Sequence, residues 1–244
     1  MKWLYFFTAL CSFGLASNPG VYIISRLYEG LFFYGQYDYF GIKDNELYTK
    51  VTYGEKILCL KEDFSKQMEE CLKGNEPDSH WMFSERKHMK TFWVSFKGKE
   101  YVVKKHVQYG FFKNIMQMGK GVSIWNNLHW AKKRGLAVVE PVAVREKREM
   151  GRLETTVVYR YEGSRTDYFK KEDIKPKTSL ITPQLREKNI VHADLRRRNI
   201  IYEEGEETVK LIDVELMHFY PSFSYVCTKR LTKEERWLRK DYKS

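Results

Sequence analysis

Residues 189–218, NIVHADLRRRNIIYEEGEETVKLIDVELMH, carry the most informative pattern in this chain of 244 residues. Within them, His192, Asp194 and Asn199 follow one another in the order H-x-D-L-x-x-x-N. Asp213 then closes the apolar run VKLID. Polar residues in such an order, framed by apolar ones, indicate a functional site.

Three short apolar runs frame these polar residues and predict strands at 190–191, 199–202 and 209–212. The polar linker EEGEE, with Gly205 at its centre, predicts the hairpin turn between the last two strands. This hairpin places Asn199 at the start of one strand and Asp213 at the end of its partner, so both side chains can face one cleft. The alternative is an ordinary β-hairpin that carries surface acids.

The chemistry that fits these residue types is phosphoryl transfer. A hydroxyl that attacks the γ-phosphate of ATP needs a carboxylate to orient it and take its proton, and Asp194 is the candidate catalytic residue. The triphosphate needs a divalent cation, and Mg²⁺ prefers hard oxygen ligands. Asn199 and Asp213 are therefore the candidate metal and nucleotide ligands. His192 is expected to brace the loop rather than react.

Residues 91–107, TFWVSFKGKEYVVKKHV, predict a β-hairpin, since aromatic and β-branched runs flank a turn at 97–99. The second strand carries Lys104 and Lys105. A site of this kind needs one strand lysine that reaches the ATP phosphates. Alternation places Lys104 on the same face as Val102, so Lys104 is the candidate and Lys105 the alternative. By themselves, two lysines on a solvated strand would carry no function.

The remaining patterns predict an α+β protein. Apolar alternation or helical spacing predicts strands at 47–51, 56–60, 136–146 and 153–163 and helices at 63–73, 119–135, 182–189 and 232–242. Gly74 and Gly135 are expected to end the helices that precede them. The polar, proline-containing segment 166–188 is expected to lead into the third helix.

The net charge of +11 favours anionic partners, such as nucleic acid, anionic lipid, phosphorylated glycolipid or nucleotide, although a solvated basic surface would explain it too. The four cysteines, Cys11, Cys59, Cys71 and Cys227, show neither zinc-ligand spacing nor a disulfide framework. They are expected to be reduced and mostly buried.

Residues 1–17, MKWLYFFTALCSFGLAS, fit either a secretory signal peptide or a membrane-contact segment, and they are too short for a confident membrane span. A second apolar and aromatic run follows at 21–40. The two runs could also be the first elements of the fold. An enzyme that uses ATP needs ATP in its compartment, which argues against export of a bacterial protein.

The motifs VVKKH, GLAVVEPVAV, IVHADLRRRN and LIDVE, in this order, resemble the lipopolysaccharide core kinases of bacteria. These are the Kdo (3-deoxy-D-manno-octulosonic acid) kinases and the inner-core heptose kinases, distant relatives of protein kinases. The resemblance runs from about Phe92 to about Leu216 and gives no account of the first 60 residues. The last two motifs mark the kinase-like superfamily. Lys-x-His, the G-L-x-V-x-x-P-V segment, Glu215 and the short C-terminal part point to the lipopolysaccharide branch.

The resemblance implies a protein-kinase-like bilobal fold, with a β-rich N-lobe and a short, mostly helical C-lobe. Residues 18–161 would hold an N-terminal extension and the N-lobe, and 162–244 the C-lobe with the catalytic loop. ATP and Mg²⁺ would be used, Lys104 would contact phosphate, and an anionic glycolipid would be the acceptor. Such an enzyme is expected in the cytoplasm at the inner face of the inner membrane, with peripheral membrane contact.

The chain also departs from the family's pattern. No Asp or Glu lies between Val107 and Val139, so the helix glutamate that usually pairs with the strand lysine has no candidate there. Glu140 comes too late, and Glu85 or Glu69 would have to come from another element. No G-x-G-x-x-G loop precedes the 91–107 hairpin, and no A-P-E segment follows Asp213.

Three classes of function follow. The first is a kinase that phosphorylates a sugar hydroxyl of lipopolysaccharide core. The second is a pseudokinase or nucleotide-binding scaffold, with a small protein kinase as a further alternative. The third is nucleic-acid binding through the basic runs 196–198 and 132–134, but no base-stacking motif supports it. The arginines of 196–198 could equally bind an acidic group of the acceptor.

Overall fold

The computed structural model describes residues 46–52, 55–75, 80–110, 119–149, 151–203, 208–220 and 225–242. The interpretations of 1–17 and 21–40 lie outside these residues. The strands are β1 Leu47–Thr52, β2 Glu55–Leu60, β3 His80–Arg86, β4 Met89–Phe96, β5 Lys99–Tyr109, β6 Pro141–Glu149, β7 Arg152–Arg160, β8 Ser164–Arg165, β9 Ile190–Val191, β10 Ile200–Glu203, β11 Thr208–Leu211 and β12 His218–Phe219. The helices are α1 Lys66–Lys73, α2 Lys120–Lys133, α3 Lys171–Ser179, α4 Ile181–Glu187 and α5 Tyr225–Asp241.

The first lobe is built on a seven-stranded sheet in the order β1-β2-β6-β7-β5-β4-β3, in which every neighbouring pair is antiparallel. The hairpin expected at 91–107 is β4–β5. Its two-residue turn, Lys97–Gly98, has φ of 54° and 70°, the twist that suits a tight antiparallel hairpin. The β1–β2 hairpin extends the sheet beside β6.

Each face of this sheet carries one helix. Ser65 caps the start of α1, where its hydroxyl accepts the Met68 N–H at 3.1 Å, and Gly74, with φ 83°, caps the end. Met68 and Leu72 are buried against one face of the sheet. α2 covers the other face with Ile124 and Leu128, in an apolar core that continues into the second lobe. The sheet therefore separates an outer face under α1 from an inner face towards the second lobe.

The second lobe contains α3 to α5 and short strand pairs, β10–β11 with β8 and β9–β12. The architecture confirms the expected α+β, protein-kinase-like bilobal fold with a short, mostly helical C-lobe. β11 also touches the first lobe, because Leu211 N–H donates to the Ala137 carbonyl at 3.0 Å. The strands predicted at 190–191, 199–202 and 209–212 correspond to β9, β10 and β11, but Asn199 ends a 3-10 helix just before β10 instead of beginning the strand.

Some local expectations were wrong. The segment 166–188 contains a helix, α3, with Pro176 inside it. α5 begins at Tyr225, before the predicted start at 232. β3 has no counterpart in the sequence prediction. Cys59, Cys71 and Cys227 are buried, as expected, and none of the three is in a disulfide, whereas Cys11 lies outside the described residues. Among the described helices, none is long and apolar enough to cross a membrane.

Gly163 follows β7, where the chain passes to the second lobe, and its φ is 96°. A Cβ there would lie against the Tyr202 carbonyl group, 2.8 Å from its carbon. We expect Gly163→Ala to lower the free energy of unfolding by about 2–4 kcal/mol. The cost of a positive φ in alanine adds to the cost of the clash with the Tyr202 backbone. Urea denaturation measures the loss.

Gly151→Ala is the matched control for this substitution. Gly151 also has positive φ, 74°, but a Cβ there meets no atom within 4 Å. Its substitution should cost only about 1 kcal/mol, the cost of the backbone conformation alone. Equal losses in the two variants would contradict the predicted clash with Tyr202.

Candidate functional site

Lys104 and Asp213 join the two lobes at the inner face of the sheet. Lys104 lies in the middle of β5, and its Nζ donates to Asp213 Oδ1. The Lys104 side chain is 12% exposed and that of Asp213 is 39% exposed. Burial disfavours the charge on Lys104, but the Tyr159 hydroxyl and the Asp213 carboxylate outweigh it, so the pKa of Lys104 is raised. Burial likewise opposes the charge on Asp213, and Lys104 outweighs it, so the pKa of Asp213 is lowered.

Asp194 and Asn199 lie in one hydrogen-bonded loop between β9 and β10. Asn199 Nδ2 donates to the Asp194 carbonyl at 2.8 Å and to Asp194 Oδ2 at 3.0 Å. Arg196 Nε donates to Asp194 Oδ1 at 2.8 Å, and Arg198 Nη2 to Oδ2 at 3.3 Å. Burial acts to raise the pKa of Asp194, but these three donors lower it below its ordinary value. Asp194 is therefore an ionised carboxylate with both oxygens engaged.

His192 connects the two acidic positions. Its ring is fully buried, and Nε2 lies 2.8 Å from the Ile212 carbonyl. A carbonyl only accepts, so Nε2 carries the proton. The pKa of His192 is lowered, chiefly by burial. The ring thus holds the backbone before Asp213, which adopts the left-handed conformation with φ 61°.

The acid-free helix α2 reaches the segment after Asp213 through two neutral side chains and one lysine. Asn127 Nδ2 donates to the Val214 carbonyl at 2.7 Å, and Ser123 Oγ to the Glu215 carbonyl at 3.4 Å. At the start of the helix, Lys120 Nζ is 3.8 Å from Glu215 Oε1. Lys104, for its part, pairs directly with Asp213. The role of Asn127 has no signal in the sequence beyond its helical spacing from Ser123.

Two of the three other acids considered as lysine partners are engaged elsewhere. Glu140 pairs with Lys132 at 2.7 Å, and Glu69 pairs with Lys50 at 2.8 Å. The side chain of Glu85 lies outside the described residues.

Lys105 points to the opposite face of β5. Its Nζ contacts the Lys73 carbonyl at the end of α1 at 3.2 Å and Glu154 Oε1 at 3.2 Å. Strand alternation thus separates the two neighbouring lysines: Lys104 reaches Asp213 on the inner face of the sheet, and Lys105 reaches the outer face.

Glu234, from α5, supports the loop that carries Asp194, and the sequence did not predict this role. Its carboxylate is buried, 2% exposed, and Oε2 accepts the His192 N–H at 3.1 Å. Ala193, next in the loop, has φ 72°, which is strained for a non-glycine residue. Burial raises the pKa of Glu234 to about 7, although the N–H groups of His192, Ala193 and Leu195 oppose this shift. The only hint in the sequence is an acid within a basic helix.

Glu234 gives a pH-dependent prediction. Because its pKa is raised in the folded protein, the folded state keeps a proton that the unfolded chain loses from about pH 4.5 upward. This group therefore lowers stability as pH rises to about 7. Wild type should therefore lose stability relative to Glu234→Gln as pH rises from 5 to 8. We expect the difference in free energy of unfolding between the two proteins to change by at most about 3 kcal/mol. Urea denaturation at four pH values measures it.

The matched control is Glu235→Gln. Glu235 is the next residue and pairs with Arg186 at the surface. The difference in free energy of unfolding between Glu235→Gln and wild type should stay nearly constant with pH. The lowered pKa of His192 affects all three proteins equally, so it cancels in these differences. Parallel curves for wild type and Glu234→Gln would contradict a raised pKa at Glu234.

The basic runs 132–134 and 196–198 were considered as a nucleic-acid surface. One arginine of each run donates to backbone carbonyls within the protein. Arg197 is 8% exposed and donates to the carbonyls of Thr166 and Phe169 at 2.8 and 2.9 Å. Arg134 Nη1 donates to the Lys188 carbonyl at 3.0 Å. Only Arg196 and Arg198 of the 196–198 run reach the candidate site. These contacts weaken the case for nucleic-acid binding.

The donor set fits a hard divalent cation. Because Asn199 donates its amide N–H to Asp194, its amide oxygen faces away and can accept a ligand. Asp213 Oδ1 meets Lys104, which leaves Oδ2. Mg²⁺ in kinase sites takes one or two protein ligands plus phosphate oxygens and water. Within the described ranges, no group of three or more His, Cys, Asp or Glu residues could hold a metal by itself.

Comparisons with known proteins bear on the fold alone. No protein-family model and no curated protein matches the chain. Among solved structures, WaaP in complex with acyl carrier protein is similar to this chain, with a TM-score of 0.50 and 13% sequence identity. The match covers 73% of this chain and 79% of that one. The chain therefore has a WaaP-like kinase fold.

Proposed function

We propose that this protein is an ATP-dependent kinase that transfers the γ-phosphoryl group to a sugar hydroxyl of lipopolysaccharide core, on a Kdo or heptose unit. The observation that supports the proposal is two pairs of side chains on neighbouring segments, which the hydrogen bond from the Ile212 N–H to the Asn199 carbonyl joins at 3.0 Å. Lys104 meets Asp213 across the lobes, and Asn199 meets Asp194 in the adjoining loop. His192 links the loop to the Asp213 segment. The resemblance of their motifs to lipopolysaccharide core kinases supports the acceptor class.

Each residue has one task in this proposal. Lys104 binds the ATP phosphates, while Asn199 and Asp213 hold Mg²⁺. Magnesium, when bound, neutralises negative charge on the phosphates. Asp194 orients the acceptor hydroxyl and takes its proton as the oxygen bonds to the γ-phosphorus. The bond from phosphorus to the ADP oxygen breaks, and ADP leaves. The protein contributes by positioning and electrostatic stabilisation.

Arg196 and Arg198 are the residues that favour an anionic acceptor. Both donate to the Asp194 carboxylate, and their side chains are 43% and 54% exposed. Asp194 must have an oxygen free to accept a hydroxyl proton. A carboxylate or phosphate on the sugar would bind the guanidinium groups and draw one of them from Asp194. The acceptor would thereby release the base that it needs.

The surroundings of the enzyme form part of the same proposal. An ATP-dependent enzyme with this acceptor works in the cytoplasm, at the inner face of the inner membrane, through peripheral contact. The exposed face of α5 is basic and supports such contact: Lys229, Arg230, Lys233, Arg236, Arg239 and Lys240 are exposed. We also propose that residues 18–161 form the N-terminal extension and the N-lobe, and that residues 162–244 form the C-lobe.

Acceptor-dependent ADP formation tests the proposal. Purified protein with Mg·ATP is offered deep-rough lipopolysaccharide or casein, and the phosphate is located on the product. We expect ADP formation to rise only with the glycolipid and phosphate to appear on its core sugars. Phosphate on casein alone would show a small protein kinase.

A pseudokinase is the second candidate, because α2 has no acid to pair with Lys104 and the lysine instead binds the predicted metal ligand Asp213. It predicts ATP binding without transfer to either acceptor. Full occupancy by ATP with no labelled product would favour it over the kinase.

A further inference from the structure

A basic pocket lies on the outer face of the first lobe. It measures about 450 Å³. Its lining includes Gly74, Lys87, His88, Lys90, Lys105 and Arg152. We call this the outer pocket. Its volume is that of a small-molecule site, and four of these six residues carry a full positive charge.

Strand register places the outer pocket away from the candidate active site. Lys90 is paired with Lys105 across β4 and β5, and Arg152 is paired with Tyr109 across β7 and β5. Paired residues and residues two apart share a face, so Lys90, Lys105 and Arg152 all lie opposite to Lys104. The two-residue turn Lys87–His88, between β3 and β4, closes one side of the pocket.

One described acid, Glu154, neutralises part of the positive charge of the outer pocket. Glu154 is shared by Lys105, Arg152 and the neighbouring Arg145, at 3.2, 2.8 and 2.8 Å. Arg152 Nε is buried and has no hydrogen-bond partner among the described residues. Lys105 uses two of its three donors, on Glu154 and the Lys73 carbonyl. The third donor of Lys105 and the exposed ammonium group of Lys87 therefore remain for a ligand.

The geometry points to the outer pocket as a binding site for a phosphate monoester, separate from the nucleotide cleft. Several cations that converge from a turn and three strands suit a compact dianion, and the arginine fork suits its oxygens. The space beyond one phosphate fits a sugar or glycerol group attached to it. The same chemistry occurs in soluble sugar phosphates and in lipid headgroups. The inference does not depend on the kinase activity.

Calorimetric titration of the full chain with glucose 1-phosphate, and sedimentation with vesicles that contain phosphatidic acid, test the site. Lys87→Gln/Arg152→Gln should weaken binding by about tenfold or more, since it removes two charge-assisted contacts. Lys61→Gln/Lys66→Gln is the charge-matched control, because both lysines are exposed and lie outside the pocket. Lys104→Met tests whether binding at the outer pocket is independent of the candidate active site on the inner face.

The outcomes separate the sources of the ligand. Binding of glucose 1-phosphate that only the pocket variant loses supports a soluble ligand. Binding to phosphatidic acid vesicles alone, again lost only in the pocket variant, supports a lipid headgroup. The inference is overturned if wild type binds neither probe, if the pocket variant binds as well as wild type, or if Lys104→Met abolishes binding.

Discussion

Asp194→Ala is expected to lower the rate of phosphoryl transfer by about 10²–10⁴-fold, the usual contribution of a general base. The substitution removes the carboxylate that would take the acceptor proton and leaves Lys104 and Asp213 in place. Affinity for Mg·ATP should therefore stay close to that of wild type. Single-turnover transfer from labelled ATP measures the rate, and equilibrium titration with a fluorescent ATP analogue measures the affinity.

Two controls separate chemistry from folding in this experiment. Asp194 anchors Arg196, Arg198 and Asn199, so its loss could disturb the loop. Asp194→Asn keeps the size of the side chain and most of these contacts, and it should be nearly as inactive as the alanine variant. Transfer at the wild-type rate by both variants would exclude Asp194 as the base.

Asp213→Asn is expected to weaken Mg²⁺-dependent ATP binding by about tenfold or more, which is about 1.4 kcal/mol. Asparagine tolerates the left-handed conformation that Asp213 adopts, so the substitution removes charge and leaves the backbone path unchanged. Titration with ATP in the presence and absence of Mg²⁺ measures the effect. The metal-independent part of the affinity should remain.

Asp213→Asn should also lower the free energy of unfolding. The Lys104 side chain is only 12% exposed, and in this variant its charge no longer has a carboxylate partner. We expect a loss of about 1–2 kcal/mol, less than for a fully buried pair because Asp213 is 39% exposed. Lys104→Met/Asp213→Asn should recover part of it. Glu215→Gln, two residues away, is the control for the loss of one acid. ATP binding by Asp213→Asn with an unchanged dependence on Mg²⁺ would exclude Asp213 as a metal ligand.

The strands around the site could be predicted because local patterns determine them. Apolar runs at 190–191 and 209–212 match β9 and β11, since a buried strand needs consecutive apolar residues. Alternation along β5 also separates Lys104 from Lys105, and the structure places them on opposite faces. The assigned catalytic and metal-binding roles stay predictions until activity is measured.

The rest depends on contacts between distant parts of the chain. Glu234 and Asn127 support the site from helices whose local sequence shows only amphipathic spacing. α3 contains Pro176 in spite of the proline's poor helix propensity, and Ile174 on that helix is buried, 1% exposed. Tertiary packing can override local preference, and a single sequence does not display that packing.

The central proposal is that the protein transfers the γ-phosphoryl group of ATP to a glycolipid, with Asp194 as the base that takes the proton of the acceptor hydroxyl. The most direct test incubates wild type and Asp194→Ala with deep-rough lipopolysaccharide and ATP labelled at either the γ- or the α-phosphate. The account predicts label on the glycolipid only from γ-labelled ATP and only with wild type. Equal labelling by the two proteins, or no labelling by wild type with ATP bound, would contradict it.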